Sequence, residues 1–236
     1  MMKPILTLIA AGTLTAAADS TELAEKATSL EQKVAPKFSL DVSVVNKRFI
    51  RGFTFTEDPD MQSILTASYG NASFTHFGYL NAKDLGVGEF DFFLDYTFCS
   101  SNKFNFSAGF GHYTFTSTKP THDFHTVISA NMLLNPTLSF LHDFEEGKGS
   151  YLELSAGHQF RATKAGNLDV FIGTTLAYNH HYFWEKSGFS HLDTRISVSR
   201  KLTEHFSIGL FSNVSLALDR DFETTHYWGA NLRIKY

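Results

Sequence analysis

A single cysteine, Cys99, stands in the whole chain. No disulfide can close within it, and no metal site of paired thiolates can form. Cys99 also lies far from the N-terminal segment, where a lipid anchor would need it, and reads as a small apolar residue at the end of a strand. Proline is scarce, five in 236 residues, and none lies inside a strongly alternating run. Basic charge is not in excess. The formal charge is −4, and loss of an N-terminal leader carrying only Lys3 takes it to −5, so there is no electrostatic footprint for nucleic acid. After the N-terminal segment no run approaches the roughly 18 apolar residues of a membrane-crossing helix. The eleven histidines include no His-x-x-x-His pair and no pair at i and i+2, so neither a helix nor a strand face presents two imidazoles to one metal. Asp58-Pro59-Asp60 and Asp219-Arg220-Asp221 each fall short of the ligand count for Ca²⁺. Neither cofactor nor metal is expected.

What the chain has in abundance is phenylalanine, 24 of them, with 15% aromatics in all. Aromatics suit strands and the two interfacial girdles of a membrane barrel. The final ten residues show the recurring unit. Trp228, Ala230, Leu232, Ile234 and Tyr236 fall on one face of a strand, and Tyr227, Gly229, Asn231, Arg233 and Lys235 on the other. A ten-residue strand, apolar on one side and polar on the other, is the unit of a transmembrane β-barrel.

Residues 1–18 (MMKPILTLIAAGTLTAAA) combine Lys3, an apolar stretch and Ala16-Ala17-Ala18, which predicts a secretory signal peptide. Residues 19–36 hold no aromatic. Leu23, Ala27, Leu30 and Val34 keep heptad spacing until Pro36, which predicts a short helical or flexible segment: a periplasmic appendage, a small plug or a tail.

From residue 37 to 236 the pattern is strands and turns. The first strand starts at Phe38 and its alternation continues through Arg51 to about Phe55. Met61–Tyr69 and Ala72–Leu80 flank Gly70-Asn71. In Glu89–Phe98, Phe90, Phe92, Leu94, Tyr96 and Phe98 oppose Glu89, Asp91, Asp95 and Thr97. Similar alternation continues from Phe104, through Phe124–Leu134, Thr137–Phe144 and Tyr151–Arg161, and from Leu168, Leu192 and Phe206. The sum is an all-β chain forming an antiparallel up-and-down transmembrane barrel of about 12 strands, closed where the last strand meets the first. A soluble sandwich would use shorter strands with its apolar face inward. Alternate turns are short, as periplasmic turns are, and the other set is only somewhat longer, so no large extracellular lid is expected.

Thirteen charged side chains fall on the inward face: Asp41, Lys47, Arg51, Glu89, Asp91, Asp95, Glu153, Arg161, Asp169, Asp193, Arg195, Arg233 and Lys235. Asp41 should meet Arg233 and Lys235 at the closure, and Arg161 should lie by Asp169. Such a lumen either selects solutes by charge or fills itself with ion pairs; eight strands just fill and sixteen leave a channel, so twelve leaves both open. His112 and His158 lie on the outward face with no serine placed beside them by spacing, and read as interfacial polar residues.

Arg51-Gly52-Phe53 followed by Asp58-Pro59-Asp60-Met61-Gln62, and the run from Leu133-Leu134-Asn135-Pro136 to Tyr151-Leu152-Glu153-Leu154, resemble the TorF-like porins, a group of small outer-membrane β-barrels. Gly229-x-x-Leu232-x-Ile234-x-Tyr236 is similar to the signal read by the outer-membrane assembly machinery, with Tyr in place of the common final Phe. The resemblance implies a Gram-negative outer-membrane barrel whose partners are outer-membrane lipids, that machinery and small solutes, with no catalytic residue. A non-conducting structural barrel and an outer-membrane hydrolase stay open as alternatives.

Overall fold

The computed structural model describes residues 35–83, 86–115, 119–162 and 167–236. The signal peptide expected over 1–18 lies outside the described residues, as does the 19–36 segment apart from its last two positions.

Fourteen strands run in chain order: β1 (Lys37–Val45), β2 (Arg48–Ile50), β3 (Phe53–Thr56), β4 (Asp60–Tyr69), β5 (Ala72–Asn81), β6 (Val87–Ser100), β7 (Phe104–Phe115), β8 (Thr121–Ala130), β9 (Thr137–Asp143), β10 (Ser150–Arg161), β11 (Leu168–His180), β12 (Ser187–Lys201), β13 (Phe206–Ala217) and β14 (Thr225–Lys235). Twelve of them form one closed antiparallel barrel, while β2 and β3 pair only with each other. Closure joins β1 to β14 with Ser39 opposite Lys235, Asp41 opposite Arg233 and Val45 opposite Gly229. Each barrel strand is thus bonded on both sides and no edge remains, the condition for a sheet to cross lipid.

The alternation read from the sequence sets the faces. Phe90, Phe92, Leu94, Tyr96 and Phe98 of β6 are exposed outward, as are Leu154, Ile196, Leu210 and Leu232 on other strands. Asp91 and Phe93, between them in sequence, are buried. An apolar exterior around a polar interior is what a bilayer demands. Aromatics of the wall break the inward polarity: Phe77, Tyr79, Phe93, Tyr113 and Tyr151 are buried in the lumen, against Leu141, Ala177 and Tyr182.

Two elements differ from the sequence reading. The first barrel strand ends at Val45 instead of running to Phe55. Arg51 and Gly52 both have positive φ (48° and 92°), which folds the chain back between β2 and β3. Positive φ at both central residues is the condition for the tight hairpin turn that matches strand twist, and Gly52 meets it without strain. Likewise β8 ends at Ala130, and Leu134 and Asn135 turn through positive φ at the rim.

Inside the wall, close packing is set by two glycines. A Cβ on Gly157 or Gly173 would come within 2.5 and 2.6 Å of the Phe171 ring, which lies flat across both strands. Removing the side chains lets one aromatic cover the bare backbone of β10 and β11. Gly157→Ala should therefore destabilise the folded barrel by about 1–3 kcal/mol, the usual cost of overpacking. Gly188→Ala, with nothing within 4 Å, should stay within about 0.5 kcal/mol. Urea unfolding in lipid vesicles, followed by tryptophan fluorescence, measures both.

Candidate functional site

The connection between β1 and β4 folds into the mouth of the barrel. The β2–β3 hairpin it carries touches walls that are far apart around the ring. Phe49 packs on His191 of β12 and Tyr227 of β14, with ring centroids 6.3 and 5.6 Å apart. Arg48 lies over the Tyr79 ring of β5 at 4.5 Å and over Phe55 at 5.2 Å, with Asp60 at 3.5 Å and Glu89 at 3.9 Å. Arg51, at the hairpin tip, lies over the rings of Tyr151 (5.0 Å) and Tyr182 (5.2 Å) and donates to the Tyr182 hydroxyl at 2.6 Å. Phe53 closes the top against Trp184 and Phe222 of two other connections. Short turns mark the opposite rim, so the hairpin end is the extracellular one.

Around the hairpin the wall presents a collar of carboxylates. Asp60, Glu89, Asp91, Asp123, Asp143 and Glu153, on five strands, are all at most 6% exposed. Burying an ionised carboxylate is costly unless it is paired and hydrogen-bonded. Asp123 accepts from His125 Nδ1 (2.9 Å), from the Gly111 backbone N–H (3.1 Å) and from the Tyr113 hydroxyl. The other ring nitrogen of His125 meets Asp95 at 2.8 Å, so one imidazole bridges two carboxylates and serves both best as the two-proton cation. Asp143 takes the Thr121 hydroxyl at 2.8 Å and the backbone N–H groups of Glu145 and Gly147, both at 2.9 Å. Arg48 and Arg51 supply the remaining positive charge from the hairpin. Burial holds the Tyr182 phenol well above its ordinary range even with Arg51 beside it, so it faces the guanidinium as a neutral acceptor.

Below the hairpin the character changes. Asp41 accepts from Arg233 Nε at 2.8 Å and pairs with its Nη2 at 2.7 Å, and also takes the Asn231 amide. Arg195 lies over Phe211 at 4.2 Å. Asp193 is 3.5 Å from His191. Arg161, well exposed, is 3.9 Å from Asp169, and Lys235 lies across from Ser39 at the rim. Asp95 is 27% exposed in its side chain. This half carries hydroxyls, amides and mixed charge, and the side chains of Asp41, Asp193 and Arg233 are, like that of Asp95, partly exposed.

Of the thirteen inward charges named from sequence, Lys47 and Arg51 are not on the barrel wall. Both belong to the folded-in connection, where Lys47 pairs with Glu57 at 2.7 Å. Reading alternation alone misses this, because Phe49, Arg51, Phe53 and Phe55 keep the strand period across a reversal of the chain. Arg48, Asp60, Asp123, His125 and Asp143 join the site without being among the inward charges read from sequence. Asp123 and His125 share one face of β8; a run read from Phe124, three residues after the strand begins at Thr121, leaves Asp123 outside it and the pair unseen.

On the outward face, a row of rings runs across four strands from His76 over Phe92 to His112 and His122. His112 bonds His122 at 2.8 Å, His122 meets Glu145 at 3.2 Å, and the Thr114 hydroxyl is 3.1 Å from His112. A hydroxyl partner for His112 therefore exists, two residues on, as threonine rather than serine. Among the described residues no group of three or more His, Cys, Asp or Glu side chains is placed to hold a metal ion.

The fold and the apolar exterior make this an outer-membrane β-barrel of twelve strands. Several solved structures share it: the NanC porin (TM-score 0.60, 10% identity, covering 84% of this chain and 100% of that one), the KdgM porin (0.58, 10%, 85% and 99%) and an outer membrane channel from Pseudomonas putida F1 (0.55, 7%, 90% and 98%). At these identities the likeness is one of fold. No family model matches the chain, and no curated protein does.

Asp123 is the hinge of the collar network. Asp123→Ala leaves His125, the Tyr113 hydroxyl and the Gly111 N–H facing a gap, and should cost about 3–5 kcal/mol, as breaking buried pairs does. Asp123→Asn, which still accepts hydrogen bonds, should cost clearly less. Urea midpoints of the two variants in vesicles test the order.

Proposed function

We propose that this chain is an outer-membrane channel passing small hydrophilic solutes by passive diffusion, and that the β2–β3 hairpin sets whether it conducts. One observation carries the reading. The outer half of the lumen is filled by the hairpin together with the wall residues Phe77, Phe93, Tyr113 and Tyr151, while the inner half carries Asp41, Asp95, Asp193 and Arg233 with side chains 19–27% exposed. A barrel serving only mechanical stability has no need of partly exposed charges along its inner half. The likeness of fold to solved porins supports the same reading, as does the resemblance to the TorF-like group. Gly229, Leu232, Ile234 and Tyr236 fit the assembly signal in this reading; Gly229 has a second reason to be glycine, since a Cβ there would come within 2.5 Å of the Val44 carbonyl.

The KdgM porin has also been solved with disordered oligogalacturonate. A polyanion does not suit the mouth of this chain, where six buried carboxylates face inward. The collar raises the local concentration of cations and repels anions, so cationic or neutral solutes are favoured.

Planar-bilayer recording of the purified protein tests the channel. The intact barrel should show small, infrequent openings. A variant in which residues 47–58 are replaced by a short turn should show a several-fold larger unitary conductance, with a reversal potential in a salt gradient on the cation-selective side. Asp91→Asn with Asp95→Asn in that variant should move the reversal potential toward zero. Conductance at lipid background in both intact and shortened proteins would leave the non-conducting barrel as the function.

A further inference from the structure

The two hairpin arginines sit in cradles of one design. Arg48 lies over Tyr79 and Phe55 beside Asp60 and Glu89. Arg51 lies over Tyr151 and Tyr182 with the Tyr182 hydroxyl as acceptor, and Glu153 is close enough to act on its charge. Each cradle is aromatic on the faces of the guanidinium and acidic or phenolic at its edge. That is the chemistry of guanidinium recognition: the group is planar, weakly hydrated, stacks on rings and donates from its rim. A small inorganic cation would want a cage of oxygens instead.

The Arg51 cradle is also reached from outside. A narrow cleft with only about 10 Å³ of free space, room for about one water, opens beside it, lined by Arg51, Phe53, Tyr151, Asn179, Tyr182, Phe183 and Phe222, so a solute fits the cradle only when the Arg51 side chain leaves it. Arg51 Nη2 is buried without a hydrogen-bond partner among the described residues, as is Asp91 Oδ2 in the collar. The cradle therefore leaves one edge of its resident guanidinium without an acceptor, while a carboxylate oxygen elsewhere in the collar lacks a donor.

Displacing the hairpin without replacement would strip the collar of both guanidinium groups and leave buried carboxylates unpaired, a change costing several kcal/mol. A solute that brings its own guanidinium offsets the Arg51 share of that cost, because in that cradle one such cation takes the place of another. We infer that the Arg51 cradle is a binding site for guanidinium-bearing small solutes, and that the hairpin arginine is a tethered occupant which such a solute displaces. This deepens the channel reading by naming its substrate class, and rests on that reading for the passage of the bound cation.

Methylguanidinium is the probe, with methylammonium and methylurea as controls for charge and shape. Arg51→Gly empties the cradle and suits the positive φ at that position. Isothermal titration in detergent micelles should show saturable methylguanidinium binding to Arg51→Gly at least tenfold tighter than to the unmodified protein. Glu153→Gln added to Arg51→Gly should weaken it at least tenfold. Equal binding by the unmodified protein and Arg51→Gly, or equal binding of the two controls, overturns the site. Should Arg51→Gly not fold, the unmodified protein decides: chymotrypsin cleavage after Phe49, Phe53 and Phe55 should run at least fivefold faster with saturating methylguanidinium than with methylammonium, and an unchanged rate refutes displacement. Binding without conductance in the shortened variant keeps the site and removes the channel; conductance without binding does the reverse.

Discussion

A carboxylate shut away from water must find positive charge or hydrogen-bond donors, and this constraint organises the outer half of the barrel. Six such groups ring the mouth. The wall meets part of the demand with His125, with hydroxyls of Thr121 and Tyr113 and with backbone N–H groups at Gly111, Glu145 and Gly147. The rest comes from a segment that is not wall at all. Arg48 and Arg51 reach the collar only because the chain between β1 and β4 folds inward, so the electrostatics of the wall and the placement of the hairpin determine one another.

The barrel makes that arrangement possible by solving a different problem first. Closing β1 on β14 satisfies the backbone of every wall strand and leaves no edge. The side chains of the inner face are then free to be polar, because none is needed to hold strands together. Where the wall carries no inward side chain, at Gly157 and Gly173, the Phe171 ring covers the backbone. Rigid walls of this kind let a short hairpin with few contacts of its own be held in one position by ion pairs, hydrogen bonds and ring packing.

The same logic gives the hairpin its proposed role. The hairpin is held partly by the rings of Phe49 and Phe53 and partly by guanidinium groups lying on tyrosine rings, and in the proposed role it is the guanidinium anchors that a ligand of like chemistry exchanges. The acidic mouth contrasts with the mixed, arginine-containing inner half, which carries Arg195, Arg233 and Arg161.

Period-two alternation is local, so the sequence alone determined that the chain is all-β, which residues of Glu89–Phe98 or Tyr227–Tyr236 share a face, that about twelve strands form and that the last closes on the first. It also put Asp41 near Arg233 and Lys235 at the closure; the register then pairs Asp41 with Arg233 and sets Lys235 opposite Ser39. The tertiary structure decided what the alternation could not. Phe49, Arg51, Phe53 and Phe55 satisfy the strand period equally well in a wall strand and in a hairpin folded across the lumen; the positive φ at Arg51 and Gly52 separates the two. The partnership of Asp95 with His125, thirty positions apart, and of Arg51 with Tyr182, separated by 131, depends on register and on depth in the lumen. Those are properties of the closed barrel as a whole, set by how all twelve strands shear against one another, and no local stretch of residues encodes them.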